Sequence, residues 1–203
     1  MKIDYQKKME EILEKIDKPK KLLLHSCCAP CSSYVLSLLT KYFDITIYYY
    51  NPNITIKEEF EKRLKEQIRL INEINKENKI NLIEGVYDKE AWEKEVKGLE
   101  NEKEGGFRCF KCYNLRLRET AKLAKKLNYD YFTTTLSISP YKNAAKLNEI
   151  GEELEKEFDI KYLYADFKKK DGYKKSIELS HKYNLYRQNY CGCIYSKGRD
   201  INE

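Results

Sequence analysis

The residues of this chain best equipped for chemistry are seven cysteines in three tight groups. Cys27, Cys28 and Cys31 lie in "HSCCAPCSS", Cys109 and Cys112 in "CFKC", and Cys191 and Cys193 in "CGC". A thiolate is a soft nucleophile and metal ligand. The CxxC spacing lets two thiolates reach one metal or cluster, or close a redox disulfide. The glycine of CGC relaxes the backbone so that its thiols can converge. Incidental buried cysteines scatter, so three local clusters point to metal binding. A structural zinc closes its shell with four ligands, which seven thiols exceed, and the chain has only two histidines to add. Four sulfurs around a [4Fe–4S] cluster leave three for a second metal or a redox pair. That arithmetic favours redox chemistry.

Other candidates lie close to the thiols in sequence. His25 directly precedes the first group; it can donate a hydrogen bond or accept a proton, or simply be satisfied by a backbone carbonyl. His181 reads as a surface residue of a charged helix. "TTTLSISPYKN" offers Ser137, Ser139, Tyr141, Lys142 and Asn143, which suit a phosphate or sugar hydroxyl; a Ser-Pro turn with a solvated lysine is the plainer alternative. "YRQNYCGCIYS" interleaves Tyr186, Arg187, Gln188, Tyr190 and Tyr195 with the last two thiols. Such planes stack on an unpaired nucleobase, with core tyrosines as the other reading. Arg116 and Arg118 follow the CxxC and can meet an RNA backbone or pair with surface carboxylates.

Apolar periodicity predicts the frame that must position these groups. A first helix over about 4–17 carries Ile3, Met9, Ile12 and Ile16 and ends at Pro19. Strands are expected at 21–25, 45–50, 80–84, 129–138 and 160–166. Helices are expected at 32–42 (capped by Ser32 or Ser33), 56–76, 88–96, after the CxxC, 144–157 and 172–184. Alternating strands and helices imply parallel pairing with right-handed crossovers. The expected fold class is α/β, an open, mostly parallel five-stranded sheet with helices on both faces, Rossmann-like or HUP-like. Its metal site lies at the C-terminal edge of the strands, where such sheets bind ligands. Cys27, Cys28 and Cys31 follow strand one, Asn51 and Asn53 strand two, Ser139 to Asn143 strand four, and Asp166 strand five. One α/β domain is expected over 1–203, with a C-terminal cysteine-bearing segment (about 184–203) closing the site.

Lys and Arg outnumber Asp and Glu by 39 to 33, a net charge of +6 that permits an RNA or phosphate surface without requiring one. No stretch reaches a membrane span, and the charged amphipathic N-terminus lacks the apolar core of a signal peptide. A cytoplasmic protein with reduced thiols is expected.

"HSCCAPCSS", "YYNPNI", "CFKCYNLRL", "TTTLSISPYKN" and "YRQNYCGCIYS", in that order and spacing, resemble the epoxyqueuosine reductase QueH family over about residues 20–197. The resemblance implies a cobalamin-independent iron–sulfur oxidoreductase that removes the epoxide oxygen of epoxyqueuosine at the wobble position of a tRNA with a GUN anticodon. It implies a [4Fe–4S] cluster on Cys27, Cys28, Cys109 and Cys112, and a redox-active disulfide pair at Cys191 and Cys193. It also implies a second, mononuclear iron, for which Cys31, the CGC thiols and Asp166 are candidate ligands, and an external reductase or ferredoxin as electron donor. Asn51, Asn53, Arg116, Ser139, Asn143, Arg187 and Tyr190 are the expected substrate contacts; Tyr141, Lys142, His25 and Asp166 are candidate proton donors. Neighbouring residues of an extended chain point to opposite sides. Cys27 and Cys28 can therefore share one cluster only across a sharp turn, or else serve one metal each. Two other functions compete with this one: an ATP-dependent iron–sulfur tRNA thiolase, and a zinc-stabilised tRNA-binding module. The glycine-free "SCCAPCSS" loop is poor for cradling a pyrophosphate, which counts against the thiolase.

Overall fold

A computed structural model describes residues 3–74 and 79–196. Five strands form one all-parallel sheet in the order β3-β2-β1-β4-β5. They are β1 (Lys20–His25), β2 (Phe43–Tyr49), β3 (Asn81–Glu84), β4 (Tyr131–Thr134) and β5 (Lys161–Tyr162). The helices are α1 (Tyr5–Leu13), α2 (Ala29–Leu39), α3 (Lys57–Ile74), α4 (Lys89–Val96), α5 (Phe107–Lys126), α6 (Ala144–Phe158) and α7 (Gly172–Lys182).

The central strand shows why the sheet is covered on both faces. Successive side chains of a strand point to opposite sides. Leu22 and Leu24 pack into one core with Met9 of α1, Val35 and Leu36 of α2, and Ile71 of α3. Leu23 packs into the other core with Leu117 and Ala121 of α5 and Leu147 and Ile150 of α6. A continuously apolar strand is what this environment requires. Each such leucine contributes roughly 1.5–3 kcal/mol by leaving water.

After β1 the chain crosses to β2 on one side, and β4 returns on the other. The strand order therefore reverses at β1, which opens a crevice beyond the C-terminal ends of β1 and β4. The cysteines gather there.

Several boundaries differ from expectation for physical reasons. α1 stops at Leu13, so Met9 and Leu13 carry its burial while Ile3 stands exposed. α2 starts three residues early, at Ala29, because Pro30 is pre-organised for a first turn. Cys28 takes the cap position, and the Ser32 and Ser33 hydroxyls donate back to the carbonyls of Ala29 and Pro30. β4 ends at Thr134, whose hydroxyl accepts from the Leu136 amide and turns residues 135–138 into a 3₁₀ turn. β5 has only two paired residues. The expected end of the third helix at Lys76 and residues 197–203 of the C-terminal segment lie outside the described residues. Among the described residues no helix is long and apolar enough to cross a membrane.

Candidate metal centre

The bend between β1 and α2 consists of three residues, Ser26, Cys27 and Cys28. This is the sharp turn that adjacent thiols require: their sulfurs lie 3.7 Å apart. With Cys31, one turn into α2, the three sulfurs all lie within 4.8 Å of one another. Hydrogen bonds from Cys28 and Cys31, helped by the Arg116 charge, hold the Cys27 thiol well below its ordinary value. Burial and the Cys27 thiolate push Cys28 up to about 12. Cys31 is raised mainly by its hydrogen bonds to Cys27 and Cys28. Gln188 also donates its amide to the Cys28 sulfur at 2.9 Å.

The second pair enters from α5. Cys109 and Cys112 sit in its first turns; the Gly105 amide donates to Cys109 Sγ at 3.2 Å, and burial lifts the Cys112 thiol to about 11. The third pair arrives on a C-terminal strap. Arg63, buried on α3, donates to the carbonyls of Cys191 (3.1 Å) and Tyr190 (3.3 Å) and to Glu59 (2.7 Å). The Thr55 amide donates to the Gly192 carbonyl at 3.2 Å. Gly192 holds φ +114°, and a Cβ there would stand 2.8 Å from Ile54 Cγ1, so the strap closes only with glycine at this point.

Cys109, Cys112, Cys191 and Cys193 line one small pocket with Asn53, Trp92 and Tyr113; its free volume is about 20 Å³. A larger cavity of about 310 Å³ adjoins it. Cys191 and Lys142 line both. Lys142 Nζ lies 3.1 Å from Cys191 Sγ and 3.7 Å from a Glu104 carboxylate oxygen. Burial opposes its charge, yet Cys191 and the further groups around it hold the ammonium above its ordinary value.

The donor set fits a soft metal or a metal–sulfur group. Thiolates select iron–sulfur clusters, zinc or copper(I). Three buried polar atoms of the small pocket, Asn53 Oδ1, Trp92 Nε1 and Tyr113 Oη, have no partner among the described residues. Buried polar atoms are otherwise nearly always paired. Arg116 is 1% exposed, and among the described residues it meets no carboxylate; its neighbours are His25, Asn51 and the Cys112 sulfur. A buried cation needs a counter-charge, and the Cys27 thiol, held below its ordinary value in part by Arg116, is the group placed to supply it.

The remaining expected site residues divide. Ser139, Tyr141, Lys142, Arg187 and Tyr190 line the larger cavity with Cys27, Cys31 and Cys191. Arg116, Asn51 and Asn53 are fully buried, so none reaches an RNA backbone; the first two bind each other at 2.6 Å. Arg118 pairs with Glu157. His25 is fully buried. Burial, with the Arg116 charge, depresses it to about 3, and both ring nitrogens are engaged, Nδ1 with Thr134 Oγ1 at 2.8 Å and Nε2 with Arg116 at 3.2 Å. Asn143 caps α6, accepting from the Lys146 amide, and Asp166 pairs with Lys168 at 2.8 Å. Asp166 and Asn143 line neither cavity. All seven cysteines are free thiols, so the expected disulfide between Cys191 and Cys193 is absent. The sulfurs of Cys27, Cys28 and Cys31 lie together, and Cys109, Cys112, Cys191 and Cys193 line the small pocket.

Residue-by-residue reading passed over Arg63, Trp92 and Tyr113. A signal for Arg63 does exist: it occupies the inward stripe of α3 formed by Phe60, Leu64, Gln67 and Ile71. A polar residue on an apolar stripe marks a buried contact.

The family model described as "Epoxyqueuosine reductase QueH" matches residues 22–199. An epoxyqueuosine reductase QueH of Staphylococcus epidermidis is 44% identical over 202 residues, covering 96% of this chain and 85% of that protein. That of Thermotoga maritima is 35% identical over 181 residues, covering 86% of this chain and 89% of that protein. Among solved structures, the U34-tRNA thiolase NcsA of Methanococcus maripaludis with its [4Fe–4S] cluster superposes with a TM-score of 0.56 at 13% identity, over 95% of this chain and 67% of that one; this likeness is one of fold. On the family match, the identities and the coverage, the chain belongs to the epoxyqueuosine reductase QueH family.

Proposed function

We propose that the protein is an epoxyqueuosine reductase, an oxidoreductase acting on tRNA. Both carbon–oxygen bonds of the epoxide break and a carbon–carbon double bond forms. Two electrons and two protons enter, and the oxygen leaves as water. The reading rests on family membership, and one geometric observation carries it: Cys191 and Lys142 form a wall shared by the thiol pocket and the 310 Å³ cavity. That volume suits a single nucleoside turned out of an RNA loop. Tyr173, Tyr190 and Arg187 line it and offer planes and charge for a base and its phosphates.

We assign all seven thiols to one metal–sulfur centre, an iron–sulfur cluster with a second iron beside it. Such a group, when bound, supplies single electrons and an open Lewis-acid position. The protein's own work is to exclude water, orient the nucleoside and hold a proton. Lys142 keeps its proton on Nζ at the shared wall, where it can pass it to the departing oxygen. Tyr141, exposed on the cavity rim, is the second candidate donor. Electrons come from an external reductase or ferredoxin, and action on tRNA fits a cytoplasmic protein.

The test is anaerobic purification with iron and sulfide quantitation, then incubation with a reductant and tRNA carrying epoxyqueuosine. Mass spectrometry of the nucleosides should show loss of one oxygen without ATP. A colourless zinc protein, or an iron-loaded protein that leaves the epoxide intact, refutes the proposal.

A further inference from the structure

The orphaned donors of the thiol pocket have a use that the reaction itself leaves unassigned. Tyr113 and Trp92 are 1% and 2% exposed, and both line the pocket of Cys109, Cys112, Cys191 and Cys193. Trp92 packs in a small cluster with Val96 and Cys112, against which Cys193 and Tyr195 also lie. Tyr113 follows Cys112 directly in α5, and burial, opposed by the Lys142 charge, raises its phenol. Neither the indole N–H nor the phenol O–H has a partner among the described residues. An unmade buried hydrogen bond costs about 1–3 kcal/mol, and α4 and α5 bring two such atoms to one pocket. Both can donate, and bound metal–sulfur groups present sulfur atoms that accept.

We propose that Tyr113 and Trp92 are positioning residues that donate hydrogen bonds to the sulfurs of the metal–sulfur group in this pocket and thereby raise its reduction potential. Reduction adds negative charge to the sulfurs, so donors aimed at them stabilise the reduced form more than the oxidised one. The two side chains then make the centre easier to load with electrons by the external donor. The same contacts complete their own hydrogen bonding, so they also favour retention of the metal. This inference rests on the assignment of an iron–sulfur group to the thiols of this pocket, Cys109, Cys112, Cys191 and Cys193.

The test uses the full chain, purified anaerobically as wild type, Tyr113→Phe, Trp92→Phe and the double variant. Iron and sulfide per chain are measured first, then the midpoint potential by titration followed in the visible spectrum and by electron paramagnetic resonance. The variants should carry no more iron than wild type, and potentials are compared on the iron-loaded fraction of each form. The midpoint should move to more negative potential in each single variant and further in the double. The metal-free Tyr113→Phe protein should melt no lower than metal-free wild type, because its hydroxyl makes no bond there. Loaded variants with the wild-type potential overturn the inference and leave the iron–sulfur assignment standing. A marked fall in the melting temperature of metal-free Tyr113→Phe overturns it as well, by revealing a protein partner. Wild-type protein without iron defeats the assignment itself, and the inference with it. If Trp92→Phe misfolds, Tyr113→Phe alone decides.

Discussion

His25 illustrates how much a single buried ring constrains this site. It closes β1, pairs in register with Tyr48 and Thr134 on the flanking strands, and has no exposed surface. Its neighbour Arg116 is a buried cation, so a second positive charge on the ring would stand against it with no carboxylate to relieve it. The ring therefore stays neutral in the fold down to about pH 3, while in the unfolded chain it protonates near pH 6.5. Between those values the unfolded state binds more protons, so stability falls as pH falls, by about 1.4 kcal/mol per pH unit from this group. Above pH 6.5 the contribution is full. Metal-free protein unfolded by denaturant across pH 4 to 7 should show this slope, and His25→Gln should flatten it even if its midpoint is lower throughout. An unchanged slope in His25→Gln would sink the account. The histidine thus braces Arg116, which in turn holds Asn51.

At the scale of elements, the strap that carries CGC is the part of the site with the most demanding local geometry. Gly192 combines a positive φ with a close approach to Ile54, whose Cγ1 would lie 2.8 Å from any Cβ added there, and its carbonyl accepts from the Thr55 amide. Gly192→Ala adds both backbone strain and overlap, and should cost about 1–3 kcal/mol. Because Cys191 and Cys193 flank it, the variant should retain less iron than wild type under a chelator challenge, with β1 intact by circular dichroism. Wild-type retention would show that the strap tolerates another path. This element also shows what a sequence discloses and what it hides. Parallel strands, their crossovers and the gathering of thiols at one edge followed from periodicity and from the pattern of Leu22–Leu24, since a strand covered twice has to be apolar throughout. The exit of β4 did not: "TTTLSI" has strand composition, but the Thr134 hydroxyl captures the Leu136 amide and ends the ladder. Arg116 was equally opaque, because only tertiary packing decides whether an arginine after a CxxC faces solvent or lies beneath the sulfurs. The strand-edge location of the site was legible; the burial of its charges was not.

For the whole molecule, the thiols come from three places far apart in the chain, the β1–α2 bend, the start of α5 and the C-terminal strap, and they meet at one edge of the sheet. Two of these anchors are built into the cores: Leu22–Leu24 and Leu117 are fully buried. The strap is not. It is held chiefly by polar contacts, from Arg63 and Asn53 to the Cys191 carbonyl, from the Thr55 amide to Gly192, from Lys142 to the Cys191 sulfur and from Gln188 to the Cys28 sulfur, with Cys193 and Tyr195 against Trp92 as its modest apolar contact. Segments with few buried apolar contacts open locally at far lower cost than the core. A metal–sulfur group held by thiols from all three places ties the strap to the core, so loading should act as a ligand that binds only the closed form. Removing metal anaerobically with a chelator should therefore raise hydrogen exchange across residues 187–196 by at least tenfold, which corresponds to a loss of about 1.4 kcal/mol of local protection. The amides of β1 and β4 should exchange as before, and the melting temperature should fall only by the linkage contribution. Exchange that rises equally throughout the sheet would mean that the metal stabilises the global fold rather than fastening the strap. Exchange unchanged at 187–196 would mean that Cys191 and Cys193 are not ligands, leaving them on the cavity wall as a thiol pair beside the substrate.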